Sequence, residues 1–98
     1  MAYRINYHQV MRQADNIEDE AHEIQRAIRD LDNLMNDIKS IWKSPAATAF
    51  IAECQELRQQ MVSTQVRVDQ TANTIRSVAR RIKEADDRAA EAAKNLNC

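Results

Sequence analysis

The chain contains one proline, Pro45, and no glycine. Proline inside a helix costs about 3 kcal/mol and disfavours helical geometry in the residue before it. Glycine is the residue most turns use to reach left-handed backbone. A chain of 98 residues with a single such interruption specifies long helices with one break between them. The break falls in Ile41-Trp42-Lys43-Ser44-Pro45, directly after the one tryptophan.

Apolar spacing on either side of the break supports this reading. Stepping by four and three residues meets Tyr3, Tyr7, Val10, Ala14, Ile17, Ala21, Ile24, Ile28, Leu31, Met35, Ile38 and Trp42 without a miss. That is a heptad seam, the pattern of a helix packed along one stripe. Asn6 is placed to cap this helix, with Gln9 at the capping-box position and Ile5 and Val10 as a hydrophobic staple. A second seam follows the proline: Ala47, Phe50, Cys54, Leu57, Met61, Thr64, Val68, Thr71, Ile75, Val78 and Ile82, then Ala85, Ala89, Ala92 and Leu96. Ser44 caps its free N–H groups, and Pro45 suits a first helical position, where its missing donor is not needed.

The expected fold class is therefore all-α: a single domain over residues 1–98, with a helix from about 7 to 42, a turn at 43–44 and a helix from about 45 to 95. Charge favours folding back over one kinked rod. Residues 15 to 37 carry eight acidic side chains against Arg26 and Arg29, whereas residues 58 to 83 carry Arg58, Arg67, Arg76, Arg80, Arg81 and Lys83 against Asp69 alone. An antiparallel hairpin lays one along the other, although each exposed pair contributes only about 0 to 1 kcal/mol. Setting Trp42 level with Pro45 ends the pairing near Arg81, so residues 82–98 would overhang as a signal-like tail.

A lone hairpin shields only part of each stripe, and association into a four-helix bundle is the usual remedy. The seam residues expected to form the dimer or its core include Ile17, Ile24, Ile28, Leu31, Met35, Phe50, Leu57, Met61, Val68 and Ile75. The net charge of −1 gives no reason for an oppositely charged partner, so a homodimer is expected, with a heterodimer as the alternative. Trp42 either plugs the bundle end or anchors a partner, since tryptophan is enriched in binding hot spots.

Several function classes are disfavoured. His8 and His22 belong to no nucleophile or metal motif. Asp15, Asp19 and His22 share a helix face, but in so acidic a stretch a solvated face is the simpler reading than a metal site. No glycine-rich loop exists to cradle phosphate. Neither an enzyme, a cofactor nor a metal is expected. The basic residues lie opposite acidic ones without interleaved aromatics, which argues against nucleic acid. The opening MAYRINYHQVMRQ holds no apolar run of signal-peptide length, and no stretch approaches a transmembrane span. No cleavable signal peptide and no stable membrane insertion are therefore expected. Cys54 and Cys98 would lie about 66 Å apart along one helix, against the roughly 7 Å a disulfide allows. Cys54 reads as a small core residue and Cys98 as a free terminal thiol.

A helical hairpin of about this length with Trp-x-Gly at its turn resembles the WXG, or ESAT-like, family of small proteins exported by type VII secretion systems. Here the turn reads Trp42-Lys43-Ser44, followed by Pro45-Ala46-Ala47-Thr48-Ala49-Phe50, and the Ala and Phe suit the family's start of helix two. The resemblance covers the whole chain in length, turn position and periodicity. Serine stands where the family has glycine, and the capping role of Ser44 accounts for how the turn is kept. Members commonly carry Tyr-x-x-x-Asp or Glu late in helix two, read by the secretion ATPase together with the turn. The matching stretch is Ile82-Lys83-Glu84-Ala85-Asp86, in which Asp86 fits and Ile82 stands in place of tyrosine.

The resemblance implies a non-enzymatic substrate of a type VII system, cytoplasmic before export and then secreted, with the secretion ATPase as a partner. Its recognition residues would be Trp42, Lys43, Ser44, Ile82 and Asp86. Either Ile82 and Asp86 form a variant signal, or a partner supplies the full one. The alternatives are an export chaperone or targeting partner, pairing with a paralogue or with the N-terminal region of a larger toxin, and a cytosolic coiled-coil adaptor.

Overall fold

The structure, a computed structural model describing residues 5–96, consists of two antiparallel helices, α1 (Tyr7–Ile41) and α2 (Pro45–Leu96). Tyr3 and Cys98 lie outside the described residues. Among the described residues there is no strand. The hairpin is a rod with extents of 81 × 16 × 16 Å, and its length is that of α2, since 52 helical residues span about 78 Å.

Each helix start follows from its capping residue. The Asn6 side-chain oxygen accepts from the Gln9 N–H at 3.1 Å, and Ser44 Oγ accepts from the Ala47 N–H at 3.1 Å. Both satisfy donors that an uncapped helix leaves without partners. α1 ends at Trp42, whose N–H still donates to the Ile38 carbonyl at 2.8 Å while its own backbone turns extended (φ −124°, ψ 108°). No described residue has positive φ. A turn that never enters the left-handed region does not require glycine, and that is why serine serves at position 44.

The α1 seam runs as the spacing predicts. Ala14, Ala21, Ile28 and Met35 are buried, and Val10, Ile17, Ile24, Leu31 and Ile38 are half-buried beside them. The α2 seam differs in every second position. The hairpin covers Ala47, Ile51, Cys54, Arg58, Met61, Gln65, Val68, Ala72, Ile75 and Ala79, while Phe50, Leu57, Thr64, Thr71 and Val78 face outward. The reason is one of size. Ala72 and Ala79 let the backbones approach where α1 offers Ala14 and Ala21, so the larger side chains one position earlier are left outside.

The pairing also runs further than turn arithmetic places it. Asp32 lies level with Arg58, and Tyr7 level with Lys83. Because Trp42 leaves α1 in extended geometry, α2 begins beyond the end of α1 rather than level with it. Ile82, Lys83 and Asp86 therefore sit alongside the chain start instead of overhanging it. Beyond Asp86, residues 87–96 of α2 are exposed among the described residues.

Candidate recognition surfaces

Successive helical residues lie 100° apart, so the two sides of the hairpin can be read from position alone. One side is polar and clamped. Arg58 donates to both carboxylate oxygens of Asp32, at 2.7 and 3.2 Å, the forked geometry favoured by guanidinium and carboxylate. Arg76 donates to Asp15 at 2.6 Å and to Glu18 at 3.0 Å. These hydrogen bonds raise both guanidinium pKa values above the ordinary arginine value, Asp32 acting on Arg58 and Asp15 then Glu18 on Arg76. The pairs set acidic α1 against basic α2 in one register.

The other side is grooved and apolar. Between α1 and α2 run hollows lined by Ile24, Ala27, Leu57 and Met61 near the middle and by Ile5, Val10, Ile75, Val78 and Ile82 near the open end. The latter hollow measures about 320 Å³ and is apolar apart from Thr74. The staple residues Ile5 and Val10 thus line the same hollow as Ile82 across the hairpin, a placement their local spacing does not reveal.

The two recognition stretches expected from the sequence occupy opposite ends of the rod. At the turn, Trp42 is 45% exposed and lies against Phe50, with ring centroids 6.4 Å apart and planes tilted by 45°. Lys43 beside it is exposed, and Ser44 is half-buried by its capping role. At the open end, Ile82 is 41% exposed. Asp86 accepts a hydrogen bond from the Ile5 N–H at 3.2 Å, and the Lys83 ammonium lies 5.8 Å from the centre of the Tyr7 ring. Asp86 is thereby held to the chain start. Only the pairing register brings these partners together, and sequence spacing alone sets that register about three residues short.

The expected seam residues divide between the two surfaces. Ile28 and Met35 are buried between the helices; Ile17, Ile24, Leu31, Met61, Val68 and Ile75 are half-buried; Phe50 and Leu57 stand out on the grooved side. Cys54 is buried with a free thiol. Of the three residues weighed as a metal site, Asp15 is engaged by Arg76, while Asp19 and His22 are exposed on the surface of α1. No described helix is long and apolar enough to cross a membrane.

Two long antiparallel helices joined by a short turn that carries Trp42 place the chain in the class of small helical-hairpin proteins. The family of proteins of 100 residues with WXG (WXG100) matches this chain over residues 2–87, and the chain belongs to it. The matched region contains both the Trp42 turn and Asp86. A crystal structure of EsxA from Geobacillus thermodenitrificans is similar in fold, with a TM-score of 0.81 and 20% sequence identity over 92% of this chain and 99% of that one. No curated protein matches the chain. Membership of the WXG100 family supports placing the chain among the small proteins of type VII secretion.

Proposed function

We propose that the chain is a non-enzymatic substrate of a type VII secretion system, exported as a homodimeric four-helix bundle. It is recognised through Trp42 at the turn and the Ile82–Asp86 face of α2. The observation that carries this reading is the WXG100 match across residues 2–87. It is supported by the exposure of Trp42 and Ile82, which leaves them available beyond what the hairpin needs for its own packing.

The two stretches act together only in a dimer. From Pro45 to Asp86 the helix rises about 60 Å, too far for one receptor site to touch both within one chain. Two hairpins packed with their turns at opposite ends bring the Trp42 turn of one copy beside the Ile82–Asp86 face of the other. Recognition then requires a folded pair, which suits a signal carried on rigid helices.

The test is the secreted fraction of Trp42→Ala and Asp86→Ala chains expressed in the native host. Both variants are expected to stay helical and dimeric, and to accumulate inside cells while the wild type reaches the medium. Export of both at the wild-type level contradicts the assignment of these residues.

A further inference from the structure

The stripe that packs α1 on α2 ends in polar chemistry. On α1 it runs back at steps of seven through Met35, Ile28, Ala21 and Ala14, all buried, and the next position is Tyr7, which is half-buried. On α2 it runs forward through Ala72 and Ala79, both buried, and the next position is Asp86, also half-buried. Layers of alanine facing alanine thus give way, one heptad further, to a phenol ring and a carboxylate. Taking a charge out of water at the end of such a stripe is unfavourable. Packing of the hairpin alone gives no reason for it.

Ring and acid are linked through their neighbours. Asp86 Oδ2 accepts from the Ile5 N–H at 3.2 Å, and Ile5 stands two residues before Tyr7, a reach of at most about 7 Å. The Lys83 ammonium lies 5.8 Å from the centre of the Tyr7 ring, within the range of a cation–π contact. Lys83 stands three residues before Asp86, and such residues are neighbours on a helix surface, with Cβ atoms about 5–6 Å apart. Ring, ammonium and carboxylate therefore form one patch at the open end of the rod, with Lys83 and Ile82 exposed. After Phe50 the chain has no further aromatic residue. The ring in this patch comes from α1.

We propose that Tyr7 belongs to the recognition face assigned to Ile82–Asp86 and supplies, from the other helix, the aromatic anchor that α2 lacks there. The inference rests on the function proposed above and extends its site across the hairpin. Tyrosine is among the residues that dominate binding energy at protein interfaces, because its ring offers apolar area and its hydroxyl a polar contact. A carboxylate has about four acceptor positions, so the bond to Ile5 leaves Asp86 able to accept from a partner as well. The partner surface that fits is an apolar pocket for the ring with a hydrogen-bond donor beside it.

A patch drawn from both helices also tests the fold of the chain that carries it. Tyr7 and Asp86 are 79 residues apart in sequence and come together only in the register held by Arg58 and Arg76. An unfolded chain contains all of these residues and does not present the patch.

The experiment measures binding of the purified full chain to the purified secretion ATPase of the native host, with circular dichroism and thermal melting of each variant. Tyr7→Leu keeps apolar bulk at the end of the stripe and removes the ring. It is expected to melt within a few degrees of the wild type and to bind about tenfold more weakly. Tyr7→Phe keeps the ring and is expected to bind within about threefold of the wild type. Wild-type binding by Tyr7→Leu, with Asp86→Ala weakened, places Tyr7 outside the face and leaves the Asp86 assignment standing. A Tyr7→Leu chain that loses its helices makes the ring a packing element and overturns the inference. Equal losses in Tyr7→Phe and Tyr7→Leu overturn it too, since the ring is then not the anchor. Undiminished binding by both Tyr7→Leu and Asp86→Ala removes the recognition reading and this inference with it.

Discussion

Ser44 and Asn6 do at single positions what glycine-rich turns and longer loops do elsewhere. Each accepts a backbone N–H three residues on, and the turn between the helices keeps φ negative throughout. Ser44→Ala is expected to lower stability by about 1 kcal/mol, as loss of a cap does, whereas Ser44→Gly costs only a few tenths. Denaturant unfolding at fixed protein concentration measures both, and equal losses would mean that the hydroxyl is not the cap. Asp86 is a different kind of residue. Its bond to the Ile5 N–H ties late α2 to the residue before α1 at the open end, but it is half-buried and near solvent. Asp86→Ala should therefore change the melting temperature little while reducing export, and a large drop in melting temperature would reassign Asp86 to structure.

The two helices differ in how far their packing is legible. Along α1 the spacing marks one stripe, and that stripe is the one the hairpin covers, from Val10 to Ile38. Along α2 two stripes overlap, because steps of three and four from Ala47 lead equally to Phe50 or to Ile51. A reading weighted by hydrophobicity selects Phe50, Leu57 and Val78. The hairpin instead selects Ile51, Ala72 and Ala79 and the aliphatic stems of Arg58 and Gln65, since close approach of two backbones rewards small or flexible side chains. The capping residues and the turn were legible because their chemistry is local. The Asp86–Ile5 contact and the apolar hollow were not, because both depend on a register fixed by Arg58 and Arg76 across the hairpin.

This division predicts opposite outcomes for two substitutions. Ile28 is 6% exposed between the helices, and Ile28→Ala should cost about 2–5 kcal/mol, while Ile28→Asp should abolish folding by burying an unpaired charge. Leu57→Asp, on the grooved side, should keep its helical signal at high concentration and dissociate at dilutions where the wild type remains paired. Circular dichroism with sedimentation distinguishes them, and a dimeric, helical Ile28→Asp would show that the seam is misassigned.

At the scale of the molecule, the rod is thin. Among the described residues eight are buried, five of them alanine, and none is a large side chain wholly removed from solvent. So small a core contributes little stability on its own, and in the proposed dimer the grooved side would supply the remainder. The proposed dimer makes folding and pairing one event and predicts that the melting temperature rises with protein concentration. A melting temperature independent of concentration over two decades would indicate a hairpin stable alone. Under the proposed function, export depends on assembly, because the Trp42 turn and the Asp86 face lie at opposite ends of one hairpin.

The most direct measurement is fractionation of the native host into cells and culture medium, with a cytosolic marker to control for lysis, in the wild type and in a strain lacking the secretion ATPase. Export as a type VII substrate predicts the protein in the medium of the wild type and its retention in cells when the ATPase is deleted. Protein confined to wild-type cells, or present in the medium regardless of the ATPase, would contradict it.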